Sequence, residues 1–206
     1  MKKNIYYALA VALATVSASA QSPTPKWEFR DGGFEACTPN GTPPDSGAWK
    51  TAWLGEASGL VTTTAGRTGR AGLWAYTGKS AQDSWSGIFQ ELPSAPGQVF
   101  TATGYVRTPA HQPWVKGSKA QVAVEFVDVS GTALARISSE PLTSPATEWQ
   151  RHALTTSPAP AGTAKVRLVC YLEKPNEPGI SVANFDDCSL AEAAKAGGSE
   201  APKTKP

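Results

Sequence analysis

Side chains that could carry out catalysis are sparse in this sequence and fall in no recognised catalytic motif. His111 lies in a proline-flanked stretch and His152 in an alternating one, with no nucleophile placed to use either. The chain has no G-x-S-x-G, H-E-x-x-H or C-x-x-C motif and no phosphate-binding loop. A glycosidase needs only two carboxylates, and Glu91, Glu125 and Asp128 are available for such a pair. We therefore predict a non-catalytic protein and keep a small polysaccharide hydrolase or lyase as an alternative.

Tryptophan is the residue type with the clearest use in binding. The chain has 7 Trp residues, and aromatic planes are suited to the C–H faces of sugar rings. Trp53, Trp85 and Trp114 stand in polar, Gly- or Pro-rich surroundings, so we predict that they are exposed and available to a ligand. We predict that the other four pack the fold, with Trp74 pointing inward together with Tyr76: Trp27, Trp49, Trp74 and Trp149.

The composition favours one domain of short strands and excludes nucleic acid as a partner. Of the 206 residues, 17% are charged, while Gly contributes 19 and Pro 17, a balance typical of strands joined by many turns. Lys plus Arg is 19 against 17 for Asp plus Glu. The sequence has no basic stripe. Nucleic-acid binding is driven by the release of counterions when clustered Lys and Arg side chains neutralise phosphates, and this chain has no such cluster.

The first twenty residues have the pattern of a secretory signal peptide. Two lysines precede an apolar run, and Ala-Ser-Ala ends at residue 20. No second apolar run approaches the ~20 residues that a membrane span requires. The sequence therefore predicts a signal peptide at 1–20, a folded module at 21–190, a disordered tail at 191–206, and a secreted, periplasmic or cell-envelope location.

Alternating apolar residues predict an antiparallel sandwich. In VFTATGYVR, Phe100, Ala102, Gly104 and Val106 share one face, and the runs QVAVEFVD and KVRLVCYL repeat the pattern. Each strand thus has an inner apolar row and an outer mixed row. The predicted strands are 73–76, 87–92, 99–107, 121–128, 149–155, 165–172 and 182–190.

Several strand-and-turn phrases occur in an order that resembles a known family. They are GGFE at 32–35, GRAGLWAYTG at 69–78, FQEL and PGQVFTATGYVR within 89–107, VEFVDVSGTAL at 124–134, TEWQ at 147–150, PAGTAKVRLVCYL at 160–172 and FDDCSL at 185–190. Together they resemble the carbohydrate-binding modules appended to xylanases and glucanases. The resemblance implies an all-β fold, an antiparallel jelly-roll β-sandwich of the galactose-binding-like type.

The outer row of the central strands is a second candidate ligand surface. Curvature of a jelly roll can turn that row into a polar groove with two aromatic platforms. In the resembling modules a sugar chain often crosses this face beside an aromatic on the strand that matches Tyr105. The alternative is a solvated sheet face with ion pairs such as Arg107 to Glu125. The predicted groove residues are Gln90, Tyr105, Arg107, Glu125, Arg167 and Tyr171.

The resemblance also implies one structural calcium ion. Modules of this kind commonly hold it through the Glu after Gly-Phe and the first Asp of the terminal Asp-Asp, here Glu35 and Asp186. Calcium takes 6–8 oxygen ligands, and the ion would lock the first and last strands together. In the alternative, these acids are solvated or bonded to turn amides.

The same seam between first and last strands leads us to predict a disulfide between Cys37 and Cys188. Cys170 alternates with Val166 and Leu168 on an apolar row, so we expect it to be a buried thiol. A pairing of Cys170 with Cys188 is the alternative.

The sequence as a whole predicts an exported, non-catalytic module that binds a polysaccharide or glycan. A partner enzyme acting on the same glycan would suit a module that stands alone. A structural or adhesive domain of the cell envelope, without a sugar site, is the first alternative.

Overall fold

A computed structural model describes residues 28–41 and 47–193 of the chain. The predicted signal peptide, Trp27 and residues 194–206 of the predicted tail lie outside the described residues. The described residues form strands and no helix, so they contain no helical segment able to cross a membrane. The strands are β1 (Lys50–Leu54), β2 (Ser58–Thr62), β3 (Gly72–Tyr76), β4 (Ser84–Pro93), β5 (Phe100–Arg107), β6 (Lys119–Val127), β7 (Ala133–Ser138), β8 (Gln150–Thr155), β9 (Lys165–Lys174) and β10 (Val182–Glu192).

The strands form two five-stranded antiparallel sheets that pack face to face. The first sheet has the order β1-β4-β9-β6-β7 and the second the order β2-β3-β10-β5-β8. This arrangement confirms the predicted all-β sandwich. The predicted inner row of β5 is also confirmed, since Phe100 and Val106 are fully buried and the ring of Phe100 lies 6.0 Å from that of Phe126 on the opposite sheet. Hydrophobic burial between the sheets is the main stabilising contribution.

Three strands, β1, β2 and β7, were not among those predicted. β1 and β7 are edge strands whose side chains are mostly exposed or half-buried, and edges carry little apolar patterning. The prediction that Trp74 and Tyr76 point inward was wrong. Leu73 and Ala75 fill the core instead, and the two aromatic rings stack at 4.9 Å on the outer face. Trp49 does pack inside, stacked at 4.7 Å on Phe34.

The predicted Cys37–Cys188 disulfide was wrong. The first segment crosses β10 at Gly32, where Cys188 N donates to Gly32 O at 2.9 Å, so Cys37 lies further along. Cys37 Sγ instead donates to Asp31 Oδ2 at 3.6 Å. Cys188 lies within an irregularity in the pairing of β10 with β5 and is buried, with its sulfur 3.4 Å from Cys170 Sγ. In this structure Cys170 and Cys188 are reduced thiols whose sulfur atoms lie at hydrogen-bond distance.

Candidate functional site

The outer face of the first sheet carries a groove built by strand register. Residues paired directly across an antiparallel ladder point to the same face. Trp85 pairs with Glu173, Gly87 with Tyr171, and Phe89 with Val169, so these side chains share one surface. They enclose a cavity of about 310 Å³. We call it the Trp85 groove, and it is lined by Ala52, Trp85, Gly87, Phe89, Glu125, Arg136, Arg167, Val169 and Tyr171.

Two aromatic rings form one wall of the Trp85 groove. The ring centroids of Trp85 and Tyr171 are 5.7 Å apart, and their planes are inclined by 33°. Gly87 makes room for this pair, because a Cβ at Gly87 would stand 3.2 Å from Trp85 Cζ3. Ala52, paired with Gly87 across the ladder, is also small. Small residues beneath large rings leave a flat-walled space suited to a ring-shaped ligand.

Charged groups form the other end of the groove. Glu125 lies between two arginines, with Arg136 Nη1 at 3.7 Å from Oε1 and Arg167 Nη1 at 3.8 Å from Oε2. The guanidinium of Arg136 lies 3.8 Å from the ring centre of Tyr171. These are long contacts that leave guanidinium N–H groups and carboxylate oxygens available to hydroxyl groups of a ligand.

Glu91 lies in the same outer row of β4 as Phe89 and binds the charged end of the groove. Its Oε1 accepts from Lys165 Nζ at 2.7 Å, its Oε2 accepts from Arg167 Nε at 2.8 Å, and Lys50 Nζ is 3.5 Å away. Burial alone would raise the pKa of Glu91, but the hydrogen bonds from Lys165 and Arg167 and the charge of Lys50 outweigh it and lower the pKa to about 2. Glu91 is therefore an anion near neutral pH and holds Arg167 in place beside the groove.

We expect Glu91→Gln to lower the free energy of unfolding by about 2 to 3 kcal/mol at pH 7. The folded-state pKa of Glu91 is depressed, so its contribution is present above the ordinary value near 4.5 and is lost as the pH falls from there towards 2. The free energies of unfolding of the wild type and of Glu91→Gln, measured from urea unfolding curves, should therefore converge as the pH falls through that interval. Glu173→Gln is the matched control, since Glu173 pairs with Lys119 at a more exposed site and should cost about 0.5 kcal/mol or less. A pH-independent difference would contradict the prediction.

The structure places only part of the predicted groove together. Glu125, Arg167 and Tyr171 line the Trp85 groove. Gln90 was predicted to face outward, and this was wrong. Its side chain is only 3% exposed, and it exchanges hydrogen bonds of 2.9 and 2.7 Å with the main chain of Arg30. The apolar neighbours Ile88 and Leu92 occupy the same inner row as Gln90 and fix its direction.

Tyr105 and Arg107 lie on β5 of the second sheet, on the opposite outer face from Glu125. The prediction of one surface containing all three was therefore wrong. The guanidinium of Arg67 stacks 3.6 Å from the ring centre of Tyr105, and that of Arg107 lies 4.6 Å from the ring centre of Trp149. Both predicted site residues thus contact residues that lie outside the strands, Arg67 between β2 and β3 and Trp149 just before β8.

The other two candidate tryptophans lie away from the Trp85 groove. Trp53 is 46% exposed, as predicted, but it pairs with inward-pointing Ser86 and so faces away from Trp85. Trp114 is half-buried in a separate open cavity of about 830 Å³. We call this cavity the loop-edge pocket, and it is lined by Pro113, Trp114, Val115, Lys116, Gly117, Pro175, Glu177, Pro178, Gly179 and Ile180.

A buried lysine supports one wall of the loop-edge pocket. Lys174 is 2% exposed, and its ammonium donates to the carbonyl oxygens of Ser80 at 2.9 Å, Gln82 at 3.1 Å and Pro175 at 3.2 Å, and also to that of Glu177. No carboxylate of the described residues forms an ion pair with it. The charge of Lys174 is therefore satisfied by main-chain oxygens from two loops.

The two predicted calcium ligands lie on one seam, where the loop between β2 and β3 covers β10. Asp186 Oδ2 accepts from Arg67 N at 2.6 Å and from Thr68 N at 3.1 Å. Glu35 Oε1 accepts from Arg70 N at 3.0 Å and Ala71 N at 3.1 Å. Both carboxylates thus bind the same loop through its amides.

This donor set does not fit calcium as arranged. Calcium needs 6–8 oxygen ligands, whereas the oxygens of Glu35 and Asp186 face N–H groups. The described residues contain no group of three or more acidic, His or Cys side chains placed to hold a metal ion. Burial raises the pKa of Asp186 to about 6 despite its amide hydrogen bonds. The calcium ion stays a prediction from the family resemblance.

We expect Glu35→Ala to lower the free energy of unfolding by about 1 to 2 kcal/mol, because two loop amides lose their acceptor. Urea unfolding measured with calcium and with chelator tests the metal in the same experiment. A wild-type midpoint that falls on chelation, with a Glu35→Ala midpoint that does not, would establish a calcium site. Wild-type curves that are the same with calcium and with chelator would show that hydrogen bonds alone stabilise the seam. A Glu35→Ala midpoint equal to that of the wild type under both conditions would contradict a role for Glu35 in either.

Five residues that line the Trp85 groove were not predicted as site residues: Ala52, Gly87, Phe89, Arg136 and Val169. Arg136 lies on the unpredicted edge strand β7, although the run ALARIS does alternate. Phe89 points outward while its neighbour Ile88 points inward. The shared direction of Ile88 and Leu92, four residues apart, was the only signal in β4 that could have placed Phe89 on the outer face.

A search of solved structures finds this fold in carbohydrate-binding modules. The C-terminal family 22 module of Clostridium thermocellum Xyn10B matches with a TM-score of 0.55 and 17% identity over 79% of this chain and 91% of that one. TmCBM61, solved in complex with beta-1,4-galactotriose, matches with a TM-score of 0.50 and 16% identity over 82% and 99%. No protein-family model matches the chain, and a search of curated proteins finds no relative.

The same fold occurs within larger enzymes. An arabinose-bound α-L-arabinofuranosidase, MgGH51, matches with a TM-score of 0.57 and 20% identity over 81% of this chain, and the chain spans 26% of that enzyme. Identities this low show the fold alone. The chain has the jelly-roll β-sandwich fold of carbohydrate-binding modules.

Proposed function

We propose that the chain is an exported, non-catalytic module that binds a glycan in the Trp85 groove. One observation carries the proposal: Trp85 and Tyr171 stand side by side, 5.7 Å apart, above the small residue Gly87 in an open cavity. Aromatic faces bind the apolar C–H faces of a sugar, and the nearby arginines and Glu125 are suited to its hydroxyl groups. A cavity of about 310 Å³ favours a short stretch of soluble glycan over a crystalline surface.

Two of the available acids, Glu91 and Asp128, are in the wrong protonation state for the general acid that hydrolysis needs. A glycosidase needs a carboxyl group held protonated near neutral pH. The pKa of Glu91 is lowered to about 2. The pKa of Asp128 is also lowered, because its carboxylate accepts from Ser130 Oγ at 2.6 Å and from Thr132 N at 2.9 Å. Both groups are held as anions, which is the wrong state for a general acid.

A glycan panel tests the proposal. Trp85 lies in the groove, so a bound sugar should change tryptophan emission, and the titration gives an affinity. Soluble oligosaccharides of xylose, galactose, arabinose and glucose are natural first probes, because the similar structures include a module of the xylanase Xyn10B, a module bound to galactotriose and an arabinose-bound arabinofuranosidase. Binding without release of reducing ends supports the proposal. Absence of binding to every glycan would favour a structural domain of the cell envelope.

A further inference from the structure

We infer that Cys170 and Cys188 form a disulfide that joins the two sheets through the middle of the core. Cys170 lies on β9 of the first sheet and Cys188 on β10 of the second. Their sulfur atoms are 3.4 Å apart, and both residues are buried, at 0% and 5% exposure. Two thiols from facing sheets therefore meet with no other side chain between them.

The surrounding residues leave space for this contact. Gly104 lies on β5 next to β10, and a Cβ there would stand 3.2 Å from Cys188 Sγ and 2.8 Å from Val122 Cγ2. Any larger residue at Gly104 would therefore displace the sulfur or the valine. On the other sheet Cys170 pairs with Val122 and Ile88, which hold its side chain on the inner face. A modest sulfur movement closes the bond without crossing a filled volume.

The oxidation has a defined chemical balance. The oxidant is the disulfide form of a thiol–disulfide oxidoreductase, or oxidised glutathione, and it accepts the two electrons. One cysteine thiolate attacks that disulfide to form a mixed disulfide, and the second thiolate then attacks the first cysteine's sulfur. The protein loses two thiol protons and two electrons, and the oxidant leaves as its dithiol or as two thiols. The predicted signal peptide would carry the chain to a compartment that supplies such an oxidant.

The environment of Cys188 determines at which stage of folding the disulfide can form. The hydrogen bond with Cys170 and burial raise the pKa of the Cys188 thiol well above its usual value. The folded core therefore holds little thiolate and admits no oxidant. The bond must form while the sheets are still coming together, and the folded reduced protein should be slow to oxidise.

Tryptic digestion separates the two possible pairings. Because trypsin does not cleave between Lys174 and Pro175, Cys170 and Cys188 stay in one peptide, residues 168–195, whereas Cys37 is in residues 31–50. The chain is unfolded with reductant, refolded with oxidised glutathione, alkylated without reduction and digested. We expect the 168–195 peptide to be unalkylated and lighter by two hydrogen atoms, with Cys37 alkylated. Alkylation of all three cysteines, or a link between the two peptides, would overturn the inference.

Thermal unfolding gives an independent measurement on an unchanged sequence. The bond would close a loop of 18 residues, and a loop of that size is expected to raise Tm by about 6 to 12 °C over the reduced protein. Cys37→Ala is the matched control and should keep this difference. Cys170→Ala should have the same Tm under oxidising and reducing conditions, whatever that Tm is. Equal Tm values for oxidised and reduced wild type would also overturn the inference.

Discussion

Replacement of Trp85 by alanine is expected to weaken glycan binding about thirtyfold or more. Trp85 forms one wall of the groove, and its ring is held against Tyr171 and over Gly87. Central aromatic side chains of this kind often contribute 2 kcal/mol or more to binding, about thirtyfold in Kd. Because the ring lies on the outer face, its removal should leave the core intact.

Titration of the tightest-binding glycan by calorimetry measures this effect without relying on tryptophan emission. Trp53→Ala is the matched control, since Trp53 is exposed but faces away from the groove, and its affinity should match the wild type. Trp114→Ala tests the loop-edge pocket. Wild-type affinity in Trp85→Ala, combined with loss in Trp114→Ala, would move the binding site to that pocket.

Replacement of Lys174 by methionine is expected to lower the free energy of unfolding by about 3 to 5 kcal/mol. Methionine fills a similar volume but offers no donor, so the carbonyl oxygens of Ser80, Gln82 and Pro175 lose their partner in a buried position. Hydrogen bonds from a charged group contribute more than neutral ones, and each buried group left unsatisfied costs about 1 to 3 kcal/mol.

Urea unfolding of Lys174→Met measures this cost directly. Lys119→Met is the matched control, because Lys119 is largely exposed and only pairs with Glu173, and its effect should stay within about 0.5 kcal/mol. Amide hydrogen exchange should also increase in the loop segments 79–82 and 175–179, which contain the four carbonyl groups that bind the ammonium. An unfolding midpoint equal to that of the control would show that the ammonium contributes little.

The sequence predicts the direction of a side chain well where one face of a strand is clearly apolar. This holds for Phe100 and Val106 on β5 and for Glu125 on β6, which point as expected. In β4 the apolar residues fall on both faces, so the pattern is ambiguous. Gln90 then faces inward, contrary to its prediction, and Phe89 faces outward, because the packing of Ile88 and Leu92 decides the register.

Alternation also says nothing about which sheet a strand joins. Tyr105 and Glu125 both occupy outer rows, yet their strands belong to opposite sheets. Cys188 is a further case, since the irregular pairing between Asp186 and Ser189 directs it inward. Trp85 and Glu125 were predicted as site residues from local context, whereas Arg136 becomes visible only once β7 is placed beside β6.

Lys174 gives the loops beside Trp114 a cation that is covalently part of the chain. Four main-chain oxygens surround its ammonium, an arrangement that other loops obtain by binding an ion from solution. The cation is therefore present in every molecule, whatever ions the solution contains, and its burial shields the charge from salt. These loops should keep their shape in chelating media that would strip a dissociable ion from a comparable site.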